Sequence, residues 1–337
     1  MTIIPELRTP APDPPMSYAL CAIGNALVDI IVSTDDAFLR ARNVAKGSMT
    51  LVDDATATAL YESAGAAVEM SSGGSAANTL AGFASLGGVS AFMGIVGHDE
   101  FGEIFTHDLR AQNVHFATPP SSGQATGRCL IFVTPDAQRS MNTFLGAAVE
   151  FGPDDVDAKL VQESSITYLE GYLFDKPLAQ DAFRKAAQLA HDAGRKLALT
   201  LSDTFCVMRH RAAFLDLVGG QVDILFANEN ELKELYETQD LDAAIAAVRA
   251  HTDIAVVTRG AQGALIAAQQ QTYEVPAHPV ASVLDTTGAG DLYAAGFLYG
   301  LTQGKSLPEA GRIGAIAAAE VIGHYGPRPQ KKLSALI

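Results

Sequence analysis

The chain has 337 residues and a formal net charge of −15 at pH 7, which argues against a nucleic acid or an anionic membrane as its partner. A small anionic nucleotide is not excluded, because it needs only a local positive field. Hydrophobic residues make up 48% of the chain, enough for a sizeable core, and no apolar run approaches the ~18 residues of a membrane-spanning helix. The three cysteines are far apart and form no C-x-x-C pair, which favours a reducing cytoplasm over a disulfide framework or a zinc site.

The start of the chain, residues 1–17, contains five prolines and no apolar signal core. It predicts a flexible extended arm rather than a targeting peptide. Tyr18 to Gly24 is a short apolar run that ends in glycine, as expected of a buried first strand. Asn25 and Asp29 follow at the strand end, where an amide and a carboxylate can hold vicinal hydroxyls, although isolated residues of these types more often form turns.

A glycine pair, Gly73-Gly74, opens a predicted helix that runs to about Leu86 and carries Asn78 one turn further on. The glycines would allow close backbone approach to a sugar ring, and the amide of Asn78 could bond one of its hydroxyls. Taken alone, a glycine pair at a helix start is a weak signal of a ligand site.

The region 114–145 contains a hairpin signal, because two β-like runs flank the turn at Pro135–Gln138. Together with about 27–52, this region predicts a small β-sheet lid inserted between the first strands of a main sheet. Arg139 on a lid strand could reach a transferred phosphate, whereas an exposed cation at a strand edge is the simpler interpretation.

From Pro153 onward, strand and helix patterns alternate, which predicts a parallel sheet covered on both faces. In such sheets ligands bind beyond the carboxyl ends of the strands, so the residues that follow the strands would be neighbours. These residues are Tyr172 and Phe174, Asn228 to Glu231, Thr258 to Gly260, and Asp285 to Asp291. The predicted strands are 164–170, 196–201, 222–227 and 254–258, and the predicted helices are 177–194, 206–218, 229–236, 240–251 and 308–322.

The last of these segments is a glycine turn that opens an apolar helix. Gly288, Ala289 and Gly290 have almost no side-chain bulk, so backbone N–H groups at the positive end of the helix dipole could bind an anion. Asp291, within the first turn, is a candidate general base for a hydroxyl beside a bound phosphate. The alternative is an ordinary helix start with an acid that complements the dipole.

Two other glycine motifs are excluded. A dinucleotide fingerprint fails because Tyr293 stands where its third glycine belongs. A P-loop ending at Gly304-Lys305-Ser306 fails because its first glycine position is Tyr299.

Five motifs in this order resemble those of the ribokinase-like (PfkB) sugar and nucleoside kinases. Their order and spacing carry more weight than any single motif. The resemblance implies a ribokinase-like three-layer α/β/α fold over residues 18–337, with a mainly parallel central sheet and a small β-sheet lid. The motifs are Gly73-Gly74-x-x-x-Asn78, Gly97-x-Asp99-x-x-Gly102, Asn228-x-x-Glu231, Thr258-Arg-Gly-Ala-Gln-Gly263 and Asp285-Thr-Thr-Gly-Ala-Gly-Asp291.

Within that family the chain is most similar to adenosine kinases, which implies ATP-dependent phosphorylation of the 5′-hydroxyl of adenosine. This likeness rests on the segments Gly24–Asp29, Asp136–Ser140, Tyr168–Phe174, Leu199–Asp203 and Val222–Glu229. The resemblance assigns ribose binding to Asn25, Asp29, Gly73, Gly74 and Asn78, and adenine binding to apolar groups that include Leu27 and Phe174.

The resemblance also implies the transfer machinery. Asp291 would take the hydroxyl proton, and the N–H groups of Gly288, Ala289 and Gly290 would stabilise the transferring phosphoryl group together with Arg139 and Mg²⁺. The ATP side would consist of Asn228, Glu231, Thr258, Gly260, Gly263 and Thr286, with Mg²⁺ placed by Asn228 and Glu231 partly through water. Some relatives also use a monovalent cation such as K⁺. The implied partners are ATP and a nucleoside or sugar, bound by a monomer or homodimer.

Two alternatives stay open. The first is a ribokinase- or fructokinase-like sugar kinase or another nucleoside kinase, and Leu27, Tyr172 and Phe174, as apolar walls of a purine pocket, favour a nucleoside over a free sugar. The second, from a different class, is a non-catalytic nucleoside or sugar sensor. The intact Asp291 and Asn228 argue against a sensor, since it has no need of a base.

Overall fold

This computed structural model describes residues 18–65, 67, 69–136 and 138–337, so the predicted N-terminal arm lies outside the described residues. The helices are α1 (Asp36–Ala41), α2 (Asp54–Ser63), α3 (Ser75–Ser85), α4 (Glu100–Ala111), α5 (Ala158–Gln162), α6 (Pro177–Asp192), α7 (Thr204–Gly220), α8 (Glu229–Leu235), α9 (Leu241–Arg249), α10 (Ala289–Thr302) and α11 (Leu307–Val321). The strands are β1 (Tyr18–Ile23), β2 (Leu27–Ser33), β3 (Met49–Leu51), β4 (Glu69–Gly73), β5 (Ser90–Met93), β6 (Val114–Phe116), β7 (Gly127–Val133), β8 (Arg139–Phe144), β9 (Ser164–Glu170), β10 (Lys196–Thr200), β11 (Ile224–Asn228), β12 (Ile254–Thr258), β13 (Ala264–Ala268) and β14 (Gln271–Val275).

Among the described residues, nine strands form a large sheet in the order β14-β13-β12-β11-β10-β9-β1-β5-β6. The strands from β12 to β6 are parallel, and β13 and β14 add an antiparallel hairpin at one edge. The predicted three-layer architecture with a mainly parallel central sheet is confirmed. No described helix combines the length and apolar character needed to cross a bilayer.

Strand β1 shows why the sheet is covered on both faces. Leu20 and Ala22 belong to a core with α3, α4, α10 and α11, whereas Cys21 and Ile23 belong to a core with helices α5 to α9. Successive side chains of a strand point to opposite faces, so a continuous apolar run becomes a strand buried on both sides. Each large apolar side chain buried in this way stabilises the fold by about 1.5–3 kcal/mol.

A second, small sheet has the order β3-β8-β7-β2-β4. One of its faces packs into the main body through Ile30, Leu130 and Phe132. Two details differ from the ranges predicted for a lid. Strand β4 joins the small sheet by pairing with β2, and β6 pairs with β5 in the large sheet.

The strand order of the large sheet changes direction at β1, because β5 lies on one side of it and β9 on the other. In open α/β sheets the crevice beyond the carboxyl ends at such a point is the usual ligand site. Helices α3 and α10 begin beside this crevice and touch there through Ser75 and Asp291, whose side chains are hydrogen-bonded.

Candidate active site

The glycine turn before α10 has a conformation that requires glycine. Gly288 lies in the left-handed region with φ of 78°, and a Cβ atom there would lie 2.8 Å from the Cα of Pro327. The turn therefore places the first N–H groups of α10, which have no partner within the helix, at the edge of the cleft. This geometry is that of an anion site at a helix N-terminus.

Asp285 holds the glycine turn in place. Its carboxylate accepts hydrogen bonds from the backbone N–H of Thr287 at 3.0 Å, from the hydroxyl of Thr287 at 2.7 Å and from the backbone N–H of Gly326 at 3.0 Å. It also pairs with Arg139 of β8, which donates to the Thr287 hydroxyl at 3.1 Å. Arg139 thus connects the small sheet to the turn. Its Nε and one terminal nitrogen are buried and have no hydrogen-bond partner among the described residues.

Asp291 is held by two donors from α3. The hydroxyl of Ser75 donates to Oδ1 at 2.6 Å, and the amide nitrogen of Asn78 donates to Oδ2 at 3.1 Å. Burial raises the pKa of Asp291 above its ordinary value, while the two hydrogen bonds and the charge of Arg328 oppose that rise. A carboxylate fixed in this way, with a pKa moved toward neutrality, is suited to act as a general base.

Asn25 lies at the end of β1, where it faces Glu170 of β9. The amide nitrogen of Asn25 donates to Glu170 at 2.8 Å, and the backbone N–H of Ala76 donates to the other carboxylate oxygen at 2.8 Å. Asn25 Oδ1 is buried and finds no partner in the described part of the chain. A side chain at Gly74, with φ of 96°, would collide with the carbonyl oxygen of Asn25. Burial raises the pKa of Glu170 to about 7.

Asp29 lies on β2, with its carboxylate against the backbone of Gly73 on β4. Burial raises its pKa to about 6, and the charges of Arg328 and Arg139 act in the opposite direction. The nearby charge of Asp291 raises this pKa further. Asp29, Asp291 and Arg328 therefore belong to one electrostatic cluster at the base of the small sheet.

Two cavities meet at the glycine turn, and Thr258, Thr286 and Gly290 line both of them. The first has a volume of about 470 Å³ and walls of polar and apolar residues, and we call it the acceptor cavity after the role proposed for it below. The second, the donor cavity, has a volume of about 520 Å³ and walls of small and apolar residues. The acceptor cavity contains Ser75, Asn78, Met141, Tyr172, Thr200, Ser202, Asn228, Glu231, Gly288 and Asp291, and the donor cavity contains Gly260, Gly263, Ala277, Pro279, Val280, Ala289, Tyr293, Ala315, Ala318 and Ile322.

Asn228 and Glu231 satisfy each other at the start of α8. The backbone and amide N–H groups of Asn228 donate to the Glu231 carboxylate at 2.8 and 2.6 Å, and the Glu231 N–H donates to Asn228 Oδ1 at 2.9 Å. Burial raises the pKa of Glu231 to about 7. The described residues contain no cluster of three or more His, Cys, Asp or Glu side chains that could hold a metal by themselves. The oxygen atoms of Asn228 and Glu231 fit a Mg²⁺ ion that is held mainly by phosphates and water. These two side chains would then bind the water molecules that coordinate the ion.

Comparison with known proteins decides the family. A family model described as pfkB family carbohydrate kinase matches residues 40–333. The chain belongs to this pfkB family. Its members are phosphotransferases that use ATP and usually Mg²⁺.

Individual relatives carry two kinds of name. The crystal structure of adenosine kinase from Sinorhizobium meliloti is 51% identical with a TM-score of 0.88, and the match covers 95% of this chain and 98% of that one. The crystal structure of a probable sugar kinase from Rhizobium etli is 48% identical with a TM-score of 0.88 and the same coverage of 95% and 98%. The adenosine kinase of Saccharomyces cerevisiae is 30% identical over 224 residues, which are 62% of this chain and 65% of that protein.

Several residues that the sequence assigned to the nucleoside do not line the two cavities: Leu27 and Phe174, assigned to adenine, and Asn25, Asp29, Gly73 and Gly74, assigned to ribose. Phe174 is 1% exposed and stacks on Phe214 of α7 with ring centroids 4.5 Å apart, so it belongs to the core and not to the cleft. Leu27 is 8% exposed and packs against Gly127. Tyr172, two residues before Phe174, lines the cleft instead, because the 3₁₀ turn after β9 directs the two rings to different sides, and Phe226 is a second aromatic residue there.

The structure adds functional candidates that the motifs of the family did not indicate. Glu170 orients Asn25, Ser75 binds Asp291, and Arg328 contacts Asn78 with an Nε–Oδ1 distance of 2.8 Å. Glu170 could have been suspected as an acid at the carboxyl end of a buried strand. Arg328 gives no such signal, since it lies in a loop 250 residues from Asn78.

Proposed function

We propose that the protein transfers the γ-phosphoryl group of ATP to the 5′-hydroxyl of adenosine. One observation carries the proposal: Asp291 and the glycine turn stand at the junction of a cavity with many polar groups and a mostly apolar cavity. A base and an anion site between two substrate cavities fit direct transfer between two bound molecules. The adenosine kinase of S. meliloti, 51% identical over nearly all of the chain, supports the choice of acceptor.

Groups for both parts of a nucleoside are found in the acceptor cavity and around it, since Asn78 lines the cavity whereas Asn25 and Asp29 do not. Asn25 Oδ1, a buried acceptor without a partner in the described structure, together with Asp29 and Asn78, would bind the ribose hydroxyls. The base would lie against Tyr172, which lines the cavity. An aromatic ring in the wall of a cleft is a suitable surface for a purine.

The donor cavity would hold ATP, with its phosphates at the N-terminus of α10. The N–H groups after Gly288 would stabilise charge on the transferring phosphoryl group, and Asp291 would accept the proton of the attacking hydroxyl. The unpartnered nitrogens of Arg139 would add positive charge from the small sheet. Mg²⁺, when bound near Asn228 and Glu231, supplies charge neutralisation to the phosphates.

The small sheet would act as a lid over the acceptor. Its connection to the glycine turn is the pair of Arg139 with Asp285. Closure of such an element excludes water, so that the bound hydroxyl and not water receives the phosphoryl group.

A monovalent cation beside the glycine turn is a further part of the proposal. It is tested by comparing turnover in K⁺ with turnover in a bulky organic cation.

The deciding experiment measures ADP formed from ATP and Mg²⁺ with adenosine, inosine, ribose and fructose offered separately. Turnover with adenosine alone is the expected result. Turnover with a free sugar alone would keep the chemistry and overturn the nucleoside assignment, in agreement with the sugar-kinase name of the R. etli protein. No turnover with any acceptor, combined with measurable ATP binding, would favour a silent sensor.

A further inference from the structure

Arg328 lies in the segment that follows α11, and its side chain contacts Asn78 in the wall of the acceptor cavity. Its Nε donates to Asn78 Oδ1 at 2.8 Å, and one terminal nitrogen donates to Gln112 Oε1 at 2.7 Å. The other terminal nitrogen donates to the carbonyl oxygen and the hydroxyl of Ser72, at 2.6 and 2.9 Å. One guanidinium therefore joins α3, the end of α4 and β4.

The contact with Asn78 decides how that amide is turned. A guanidinium has only donors and a carboxylate has only acceptors. Asn78 lies between the two, with Arg328 Nε on one side and Asp291 Oδ2, 3.1 Å away, on the other. Only one orientation satisfies both contacts, with the amide oxygen toward Arg328 and the amide nitrogen toward Asp291.

We propose that Arg328 is a positioning residue for phosphoryl transfer: it fixes the amide of Asn78 so that the amide nitrogen faces Asp291, and it places a positive charge one side chain away from the Asp291 carboxylate. The proposal rests on the function proposed above for Asp291. Arg328 does not touch the reacting atoms. It acts through Asn78 and through its electric field.

Several ionisable groups surround Asp291. Burial raises the pKa values of Asp29 on β2 and Glu170 on β9, and the charge of Asp291 adds to both rises. The hydroxyls of Tyr168 and Tyr172 also interact with that charge. Arg328 supplies the positive charge that favours the ionised form of Asp291, with the Ser75 and Asn78 hydrogen bonds acting in the same direction.

A purely structural role is the competing explanation. Arg328 binds Ser72, whose backbone N–H and hydroxyl both donate to Asp108, so it also holds β4 against α4. A clamp of this kind would affect folding and acceptor binding. It would not move the titration of Asp291, and its effect on rate would not depend on Asn78. These two readouts separate the explanations.

The first test is a double-mutant cycle in kcat with the acceptor that the wild type uses. Arg328→Gln is expected to lower kcat about tenfold to a hundredfold, the scale of a small misplacement at a reacting centre. Arg328→Lys, which keeps the charge, should recover part of that loss. In an Asn78→Ala background, Arg328→Gln should lower kcat by a clearly smaller factor, because the contact between the two side chains is already lost. If Arg328→Gln lowers kcat by the same factor in both backgrounds, Arg328 does not act through Asn78.

The matched control is Arg110→Gln. Arg110 lies exposed on α4 and donates its Nε and one terminal nitrogen to the carbonyl oxygen of Phe116 at 2.9 and 2.7 Å. It too is an arginine that anchors a helix to a neighbouring backbone, but it has no part in the cleft. Its replacement should leave kcat at the wild-type value.

The closing experiment titrates the Asp291 carboxyl by NMR of protein carrying ¹³Cγ-labelled aspartate, with Asp291→Asn to assign the resonance. The midpoint should move to higher pH in Arg328→Gln and stay near the wild-type value in Arg328→Lys. An unchanged midpoint in a folded Arg328→Gln protein would overturn the electrostatic role. If that variant does not fold, a moved midpoint in Arg328→Lys overturns it instead. The titration needs no substrate, so inactivity of the wild type toward every acceptor counts against the proposed function alone.

Discussion

The acceptor and donor cavities share a wall but are built in different ways. The acceptor cavity collects polar groups from distant parts of the chain, such as Ser75 and Asp291, which are 216 residues apart. The donor cavity is lined by residues between 258 and 322, most of them small and apolar. One cavity therefore depends on long-range contacts between charged and polar groups, and the other on close packing within one region of the chain.

The difference has an energetic side. Burial raises the pKa of Asp29 to about 6 and that of Glu170 to about 7, so the acceptor side holds acids that would be more stable in water. Among the described residues no Asp or Glu lines the donor cavity, whose ionisable groups are the exposed His278 and the buried Tyr293. The buried acids that the acceptor side needs for function are therefore expected to lower the free energy of unfolding. On the donor side, the same apolar residues can both bind a substrate and stabilise the fold.

The largest expected effect is that of Asp291→Asn, which tests whether the acceptor side carries the chemistry. Loss of a general base lowers kcat by about 10²–10⁴-fold, while the isosteric amide should leave the fold intact. Asp240→Asn is the matched control, because Asp240 caps α9 by accepting from the Asp242 N–H at 3.0 Å and asparagine caps equally well. Near-normal kcat in Asp291→Asn would remove Asp291 from the role of base.

The next effect, that of Asp29→Asn, tests the conflict between function and stability. Acceptor affinity should fall about 5- to 150-fold, the equivalent of ~1–3 kcal/mol for hydroxyls left unpaired. The folded pKa of Asp29 is about 6 and the ordinary value is 3.8, so ionised Asp29 destabilises the fold increasingly as the pH rises between these values.

The substitution should therefore raise the free energy of unfolding at pH 8 by about 1–3 kcal/mol, and by less at pH 5. Calorimetric affinity and denaturant unfolding at both pH values measure the two effects. A variant that binds more weakly and is also less stable at pH 8 would show that Asp29 is a structural group.

A smaller effect, that of Ala318→Leu, tests whether the two cavities are separate. Ala318 lines the donor cavity on α11, and three added carbons would occupy space there. The KM for ATP should rise about tenfold, on the scale of one or two kcal/mol for overpacking, with the KM for adenosine unchanged. Arg312→Leu on the exposed side of the same helix is the control. Equal rises in both KM values would mean that one continuous cavity binds both substrates.

Much of the fold and the glycine turn could be predicted from the sequence, because local residue patterns determine local structure. Strands β9 and β12 match their predicted bounds, and the glycine turn at Gly288 follows from three adjacent small residues. Strand β4 was not predicted, since Glu-Met-Ser-Ser-Gly is polar and becomes a strand only by pairing with β2.

Two features of the acceptor side could not be predicted from the sequence, because each depends on the three-dimensional path of the chain. The choice between Tyr172 and Phe174 depends on how the 3₁₀ turn rotates each side chain, which hydrophobicity does not reveal. The contact of Arg328 with Asn78 depends on where a loop returns after 250 residues, and no spacing rule covers that distance. The roles assigned to the site residues stay predictions until the variants are measured.

The smallest expected effect concerns Tyr293, a buried polar group in the mostly apolar wall of the donor cavity. Tyr293 is 5% exposed, and its hydroxyl is buried without a hydrogen-bond partner among the described residues. Burial raises the pKa of that hydroxyl, so it stays neutral and unsatisfied. Tyr293→Phe keeps the ring and removes the desolvated group, which should leave the free energy of unfolding unchanged or raise it by about 1 kcal/mol, with the KM for ATP unchanged. A loss of stability would reveal a bond to the hydroxyl, and a higher KM for ATP would show that the donor side also recognises its substrate through a polar group.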